Sequence, residues 1–193
     1  MVNETRYPVL RTFIVRVENE PGVLNRVASL FRRRGFNIES VTIGLTEQAG
    51  VSRMTIVTET DGPGAHRVES NLRKLVNVLS VDTAFDGALV SRDLAMIKVA
   101  ADMQSRPHIT RIAQTFRAHV VDVTPCSLVL EVSGSEATID SLLDVLRPFG
   151  IIEMARTGRL AMRRGAEAVG AAGELAFGAG ARGHQRAELA RSA

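Results

Sequence analysis

The fold is decided by residues 11–58, RTFIVRVENEPGVLNRVASLFRRRGFNIESVTIGLTEQAGVSRMTIVT. At the start of this stretch, residues 12–18 carry Phe13, Val15 and Val17 at alternate positions. Alternation places these side chains on one face of an extended chain, which predicts a β-strand.

A helix is predicted next, over residues 23–34. Residues 19–22, NEPG, interrupt the strand as a turn. Apolar residues then recur at helical spacing from Val23 to Phe31. Gly35 stands where a helix commonly ends in glycine.

The rest of the first half continues this pattern of strands and helices. β-Branched residues predict strands at 37–45 and 51–58, and residues 61–64, DGPG, are predicted to be a loop. A second amphipathic helix is predicted at 65–76 and a last strand at 78–85. The order in residues 9–86 is therefore β-α-β-β-α-β.

The same order returns in residues 92–165. Strands are predicted at 93–100, 118–123, 127–132 and 151–155, and helices from Pro107 through Phe116 and over residues 135–146. The split between the two units is placed near residues 86–91. Residues 166–193 are rich in Ala and Gly without an apolar stripe, which predicts a solvated tail.

This order predicts an α+β fold made of two tandem ferredoxin-like units. In each unit two helices cover one face of a four-stranded antiparallel sheet. The second face and the edge strands are left bare, so the pattern also predicts oligomerisation.

Composition excludes several classes of function. Aromatic residues are 4% of the chain and the net charge is +3, with no basic stripe, which argues against a nucleic-acid surface. The single cysteine, Cys126, excludes an internal disulfide and indicates a reducing, cytoplasmic setting. The four histidines are scattered, so no metal site is predicted. No stretch has the length and apolarity of a membrane span.

Residues 18–24, ENEPGVL, carry the candidate site, where the first strand turns into the first helix. A helix N-terminus presents unpaired backbone N–H groups and partial positive charge, which suit a carboxylate. Gly22 lets a ligand approach the backbone, and Asn19 offers both a donor and an acceptor to an amino acid. The same residues also fit an ordinary turn in which Asn19 caps the helix.

Longer blocks of sequence carry a resemblance. The N-terminal blocks ENEPGVL (residues 18–24), GFNIES (35–40) and SRMTI (52–56) occur together here, and VDVTP (121–125), LRPFG (146–150) and EMARTG (153–158) follow. Residues 9–165 resemble the regulatory small subunit of acetolactate synthase, also called acetohydroxyacid synthase. The motif Glu-x-x-Pro-Gly alone would mark only the broader class of ACT domains, which bind amino acids.

The resemblance implies a function without catalysis in this chain. Residues 9–86 would be an ACT domain that pairs with a second copy and binds valine, or a related branched-chain amino acid, at the interface. A separate large catalytic subunit would hold thiamine diphosphate, Mg²⁺ and FAD, and this chain would activate it and confer feedback inhibition. The implied effector contacts, some from each copy, are Asn19, Pro21, Gly22, Val23, Leu24, Asn37 and Ile38.

Two other functions remain open at this point. A stand-alone amino-acid-responsive regulator would need a DNA-binding element, and the sequence shows no helix-turn-helix or basic groove. An independent enzyme would need a nucleophile–base pair or a metal set, and no such spacing is found.

Overall fold

The structure is a computed structural model, which describes residues 7–84 and 89–165. The first unit contains β1 (Val9–Glu18), α1 (Val23–Arg34), β2 (Ser40–Leu45), β3 (Val51–Thr60), α2 (Gly62–Leu72) and β4 (Val78–Ala84). Its sheet is antiparallel in the order β2-β3-β1-β4. The predicted β-α-β-β-α-β order is confirmed in this unit.

The second unit repeats the arrangement. It contains β5 (Leu89–Ala100), α3 (Arg106–Thr115), β6 (His119–Val123), β7 (Ser127–Gly134), α4 (Glu136–Leu146), β8 (Ile151–Arg156) and β9 (Leu160–Arg163). Its sheet runs β6-β7-β5-β8, and β9 pairs with the first residues of β5. The α+β class with two ferredoxin-like units is therefore confirmed.

Each unit has its own apolar core between its helices and one face of its sheet. The first core contains Phe13, Val15 and Val17 from β1 against Val27 and Phe31 from α1. These are the residues that the alternation and the helical spacing place inward. Burial of these stripes is the main stabilising contribution, at roughly 25 cal/mol per Å² of apolar surface removed from water.

Three predictions about the first unit's boundaries are wrong. The strand predicted at 37–45 begins only at Ser40, so Asn37 and Ile38 precede it. The segment 61–64 is not a loop: α2 begins at Gly62, because Asp61 caps it by accepting a hydrogen bond from the Gly64 N–H at 2.6 Å. Pro63 in the first turn does not destabilise α2, since the N–H that proline lacks would have no hydrogen-bond partner within the helix at that position. The helix ends at Leu72, so Val76, which is 91% exposed, lies beyond it.

The first strand of the second unit starts earlier than the predicted residue 93. Leu89 already belongs to β5, and the strand β9 was not predicted at all. The antiparallel pair formed by the start of β5 and β9 lies on the open face of the first sheet, where Leu89 and Ala161 bury Ile14. The face that was expected to be bare is thus partly covered by the same chain. The predicted tail at 166–193 lies outside the described residues.

Further contacts hold the units together. The Arg53 guanidinium donates a hydrogen bond to the Ala161 backbone carbonyl. Arg163 forms a bidentate ion pair with the Asp82 carboxylate. Burial lowers the pKa of Arg53, and the neighbouring charge of Arg16 lowers it further.

Among residues 7–84 and 89–165, no helix is long and apolar enough to cross a membrane.

Candidate functional site

The turn between β1 and α1, residues 18–25, is called the α1 corner below. Gly22 occupies the N-cap position of α1 with φ of 85° and ψ of −5°, and no side chain caps the helix. The alternative in which Asn19 caps α1 is therefore wrong. A left-handed backbone at Gly22 strains any residue with a Cβ, so the turn itself requires glycine.

The first turn of α1 presents free hydrogen-bond donors. Across the described parts of the chain, nothing accepts a hydrogen bond from the backbone N–H of Gly22, Leu24 or Asn25. The Val23 N–H reaches the Glu20 carbonyl only at 3.4 Å. No acidic residue lies in the first turn. The corner therefore offers exposed donors and an uncompensated positive helix end, which is suited to a carboxylate.

Asn19 lies beside these donors. Its backbone N–H donates to the Gly50 carbonyl at 2.8 Å, which ties the end of β1 to the β2–β3 turn. Its side chain is exposed and hydrogen-bonds to no residue within the described ranges. The amide is thus available to both charged groups of a zwitterionic ligand.

A group of hydrogen bonds behind the α1 corner, which joins Glu18, Arg26 and Asn77 and is called the brace below, was not predicted. The Asn77 side chain donates to the Glu18 carboxylate at 2.6 Å and accepts from the Arg26 guanidinium. In addition, the Glu18 N–H donates to the Asn77 carbonyl at 2.9 Å. Asn77 lies 59 positions from Glu18 in the sequence, and no spacing rule links them, so only the folded chain shows the brace.

Of the other predicted site residues at the α1 corner, one has a buried side chain and two have exposed side chains. The Val23 side chain is buried in the first core, so only its backbone faces the corner. Leu24 is 47% exposed and offers an apolar wall, and Pro21 is exposed.

Asn37 and Ile38 lie at the opposite end of α1. The 12 residues of this helix separate Gly22 from Gly35 by roughly 18 Å at about 1.5 Å per residue. Asn37 is exposed, with its side-chain N–H₂ bonded to Glu39 and its carbonyl accepting from the Thr58 hydroxyl. Ile38 packs partly against the first core. One chain does not bring Asn37 to Asn19, so a site that uses both residues needs a second copy.

The closing block of the second unit forms internal pairs. Arg156 binds Asp93 at 2.7 Å and Asp140 at 2.8 Å, and Glu153 lies 3.4 Å from Lys98. Burial, the largest single effect, lowers the pKa of Arg156, but the hydrogen bonds that Arg156 donates to Asp93 and Asp140, together with the negative charges of those carboxylates, outweigh it, so that the net pKa is raised. Arg156 and Glu153 are therefore both paired with residues of their own unit.

Neither described range brings three or more His, Cys, Asp or Glu side chains together in a group that could hold a metal ion.

Two family models match this chain, one in each unit. Residues 13–80 match the ACT domain of the AHAS small subunit, and residues 92–165 match the small subunit of acetolactate synthase. A Mycobacterium bovis protein named acetolactate synthase small subunit is 46% identical over 165 residues, which are 86% of this chain and 98% of that protein. This chain belongs to the acetolactate synthase small subunit family.

Members of the family from distant organisms are similar over nearly their whole length. A probable acetolactate synthase small subunit from Archaeoglobus fulgidus is 47% identical across 80% of this chain and 96% of its own. The crystal structure of the acetolactate synthase small subunit from Thermotoga maritima matches with a TM-score of 0.78 at 33% identity, covering 82% of this chain and 99% of that one. The resemblance read from the blocks ENEPGVL and EMARTG is thereby confirmed.

Proposed function

We propose that this small subunit activates a thiamine-dependent catalytic subunit and makes that enzyme sensitive to feedback inhibition by valine. Membership of the small subunit family supports a regulatory role. The observation that carries the effector proposal is the set of free N–H groups at Gly22, Leu24 and Asn25, beside the unengaged side chain of Asn19.

The chemistry of the α1 corner fits an α-amino acid. The carboxylate accepts hydrogen bonds from the free N–H groups, where the helix end favours negative charge. The side-chain oxygen of Asn19 accepts from the ammonium group. Leu24 supplies an exposed apolar surface for a branched side chain.

A homodimer completes the site in this proposal. β2 is one of the two edge strands of the first sheet, and its Val41, Ile43 and Leu45 are 39%, 42% and 79% exposed. An exposed apolar edge favours pairing with a second copy. A two-fold axis beside β2 generates two equivalent sites, each with Asn19 and Gly22 from one chain and Asn37 and Ile38 from the other.

Catalysis belongs to the partner in this proposal. Thiamine diphosphate, Mg²⁺ and FAD are expected on the large subunit, and the complex is expected to work in the cytoplasm. Valine inhibits only if it binds the low-activity state of the complex more tightly than the active state.

Reconstitution tests the proposal directly. The purified chain is added to a thiamine-dependent large subunit, and acetolactate formation from pyruvate is measured with and without valine. We expect the activity to rise on addition of the chain and to fall with valine. Calorimetry on the chain alone should show a valine, leucine or isoleucine site, and binding of none of the three would refute the effector proposal.

A further inference from the structure

The loop between β8 and β9, residues 157–159, is called the inter-unit loop here. It reaches from the second unit onto β2 of the first. The Arg159 N–H lies 3.5 Å from the Ser40 hydroxyl, and the Arg159 guanidinium donates to the Thr12 hydroxyl at 3.1 Å and to Glu136 at 3.0 Å. Since Glu136 opens helix α4, Arg159 joins the first sheet to the second unit's helical layer.

Gly158 lies so close to β2 that there is little room for a side chain. A Cβ on this residue would lie 2.8 Å from the Thr42 hydroxyl oxygen, 3.1 Å from the Val41 carbonyl oxygen and 3.2 Å from the Ser40 Cβ. Its φ is not in the left-handed region, unlike that of Gly22. Glycine is therefore needed at 158 by the closeness of β2 and not by the local backbone.

β2 is the strand that leads directly from the predicted effector residues Asn37 and Ile38. The residues touched by Gly158, Ser40 through Thr42, begin three positions after Asn37. As an edge strand, β2 pairs with no strand other than β3 within the described chain, so its backbone ladder is formed on one side. A ligand that repositions Asn37 therefore acts on a strand that is held within its own chain by β3 and by the inter-unit loop.

We infer that the inter-unit loop positions β2 for effector binding and couples the effector site to the second unit. This inference rests on the proposed effector site. Movement of β2 displaces Gly158, and through Arg159 it reaches α4. Because binding linkage is reciprocal, a change imposed at Gly158 alters effector affinity in return. Packing this close transmits a displacement of a few tenths of an ångström instead of absorbing it.

Gly158→Ala tests the coupling in the full-length chain. The added methyl group forces β2 outward, and we expect calorimetry to show valine affinity reduced by about fivefold or more, in the usual range of coupling between sites. Gly150→Ala is the control, because it adds a methyl group in the second unit away from β2, where the Cβ would make only an ordinary 3.7 Å contact with Ala100. This control should bind valine as the unaltered chain does.

A double variant makes the test specific to the contact. Thr42→Ala removes the closest atom facing Gly158, and the Thr42 hydroxyl has no hydrogen-bond partner to lose within the described chain. Gly158→Ala combined with Thr42→Ala should regain part of the lost affinity, which a double-mutant cycle measures. Equal affinity of Gly158→Ala and the unaltered chain would overturn the inference and leave the effector proposal intact.

A measurement without substitutions covers the case in which Gly158→Ala does not fold. Amide hydrogen exchange of the unaltered chain is recorded with and without saturating valine. We expect valine to change exchange at residues 157–161 as well as at 37–45. A change confined to 37–45 would overturn the coupling alone, whereas failure of the chain to bind valine, leucine or isoleucine would remove both proposals.

Discussion

Replacing Gly22 by alanine perturbs the α1 corner in two separable ways. The first is backbone strain, because Gly22 has φ of 85°, and an L-residue in the left-handed region costs about 1–2 kcal/mol. The Cβ itself would meet nothing within 4 Å, so no clash adds to this figure. For a chain of 193 residues, at about 2–4 °C per kcal/mol, the melting temperature should fall by roughly 2–8 °C.

The second effect of Gly22→Ala is on the ligand. The new methyl group stands in the open space beside the free N–H groups, where the carboxylate is proposed to dock. Loss of one hydrogen bond to a charged group costs about 1.5–3 kcal/mol, which weakens valine binding by roughly 10- to 150-fold. Calorimetry measures the affinity, and thermal unfolding followed by circular dichroism measures the stability.

Gly150→Ala is the matched control for these two effects. Gly150 also has a left-handed φ, of 90°, and its Cβ would make only an ordinary 3.7 Å contact with Ala100. It lies in the second unit, at the start of β8. This variant should lose stability and keep its valine affinity. If Gly22→Ala melts as expected but binds valine as tightly as the control, the carboxylate does not dock at Gly22 and the reasoning fails.

Three further substitutions test other parts of the chain. Asn19→Ala should weaken valine binding by about 1–3 kcal/mol, because it leaves ligand groups unpaired; unchanged calorimetric affinity would remove Asn19 from the site. Leu142→Ala should destabilise the chain by about 2–5 kcal/mol in urea unfolding, since Leu142 is fully buried, whereas Val145→Ala on the exposed side of α4 should cost far less. Hydrogen bonds from Ser105 lower the pKa of Asp102 below its ordinary 3.8. The stabilisation that the ionised Asp102 gives α3 is therefore complete above pH 3.8 and is lost as the pH falls through the lowered pKa. Asp102→Asn should remove this pH dependence from the amide protection factors of α3, in which each exchange rate is divided by the intrinsic rate at the same pH, and persistence of the dependence would show that another group causes it.

Local patterns predict the fold where the determinants lie close together in the sequence. The helix α1 is predicted over residues 23–34 and is found at Val23–Arg34, because a left-handed glycine lies at each end, at Gly22 and at Gly35. Both glycines flank the helical pattern of apolar residues in the sequence, so both ends of the helix can be predicted from it.

Distant pairings could not be predicted in the same way. The strand β9 has only four residues, and it is a strand because Leu160–Arg163 pairs with the start of β5, about 70 positions earlier. At α2, the turn-forming residues 61–64 predicted a loop, but the hydrogen bond that the Gly64 N–H donates to the Asp61 carboxylate caps a helix there.

The candidate site likewise has a part that local sequence patterns predict and a part that depends on contacts between distant residues. Asn19 and Gly22 are recognisable from a contiguous motif at a helix start. The brace of Glu18 by Asn77 depends on how β1 and the approach to β4 come together, which no local pattern encodes. The contact of Gly158 with Thr42 is likewise a product of packing between units.

The pairing of β5 with β9, which buries Ile14, matters for any attempt to use the first unit as a separate amino-acid reporter. A fragment cut after residue 84 loses Leu89 and Ala161, so Ile14 would face water in the middle of a sheet. Such a fragment should self-associate through that patch and give signals unrelated to its ligand. Ile14→Thr, which matches the polar Thr12 on the same face, is the substitution with which to begin engineering it.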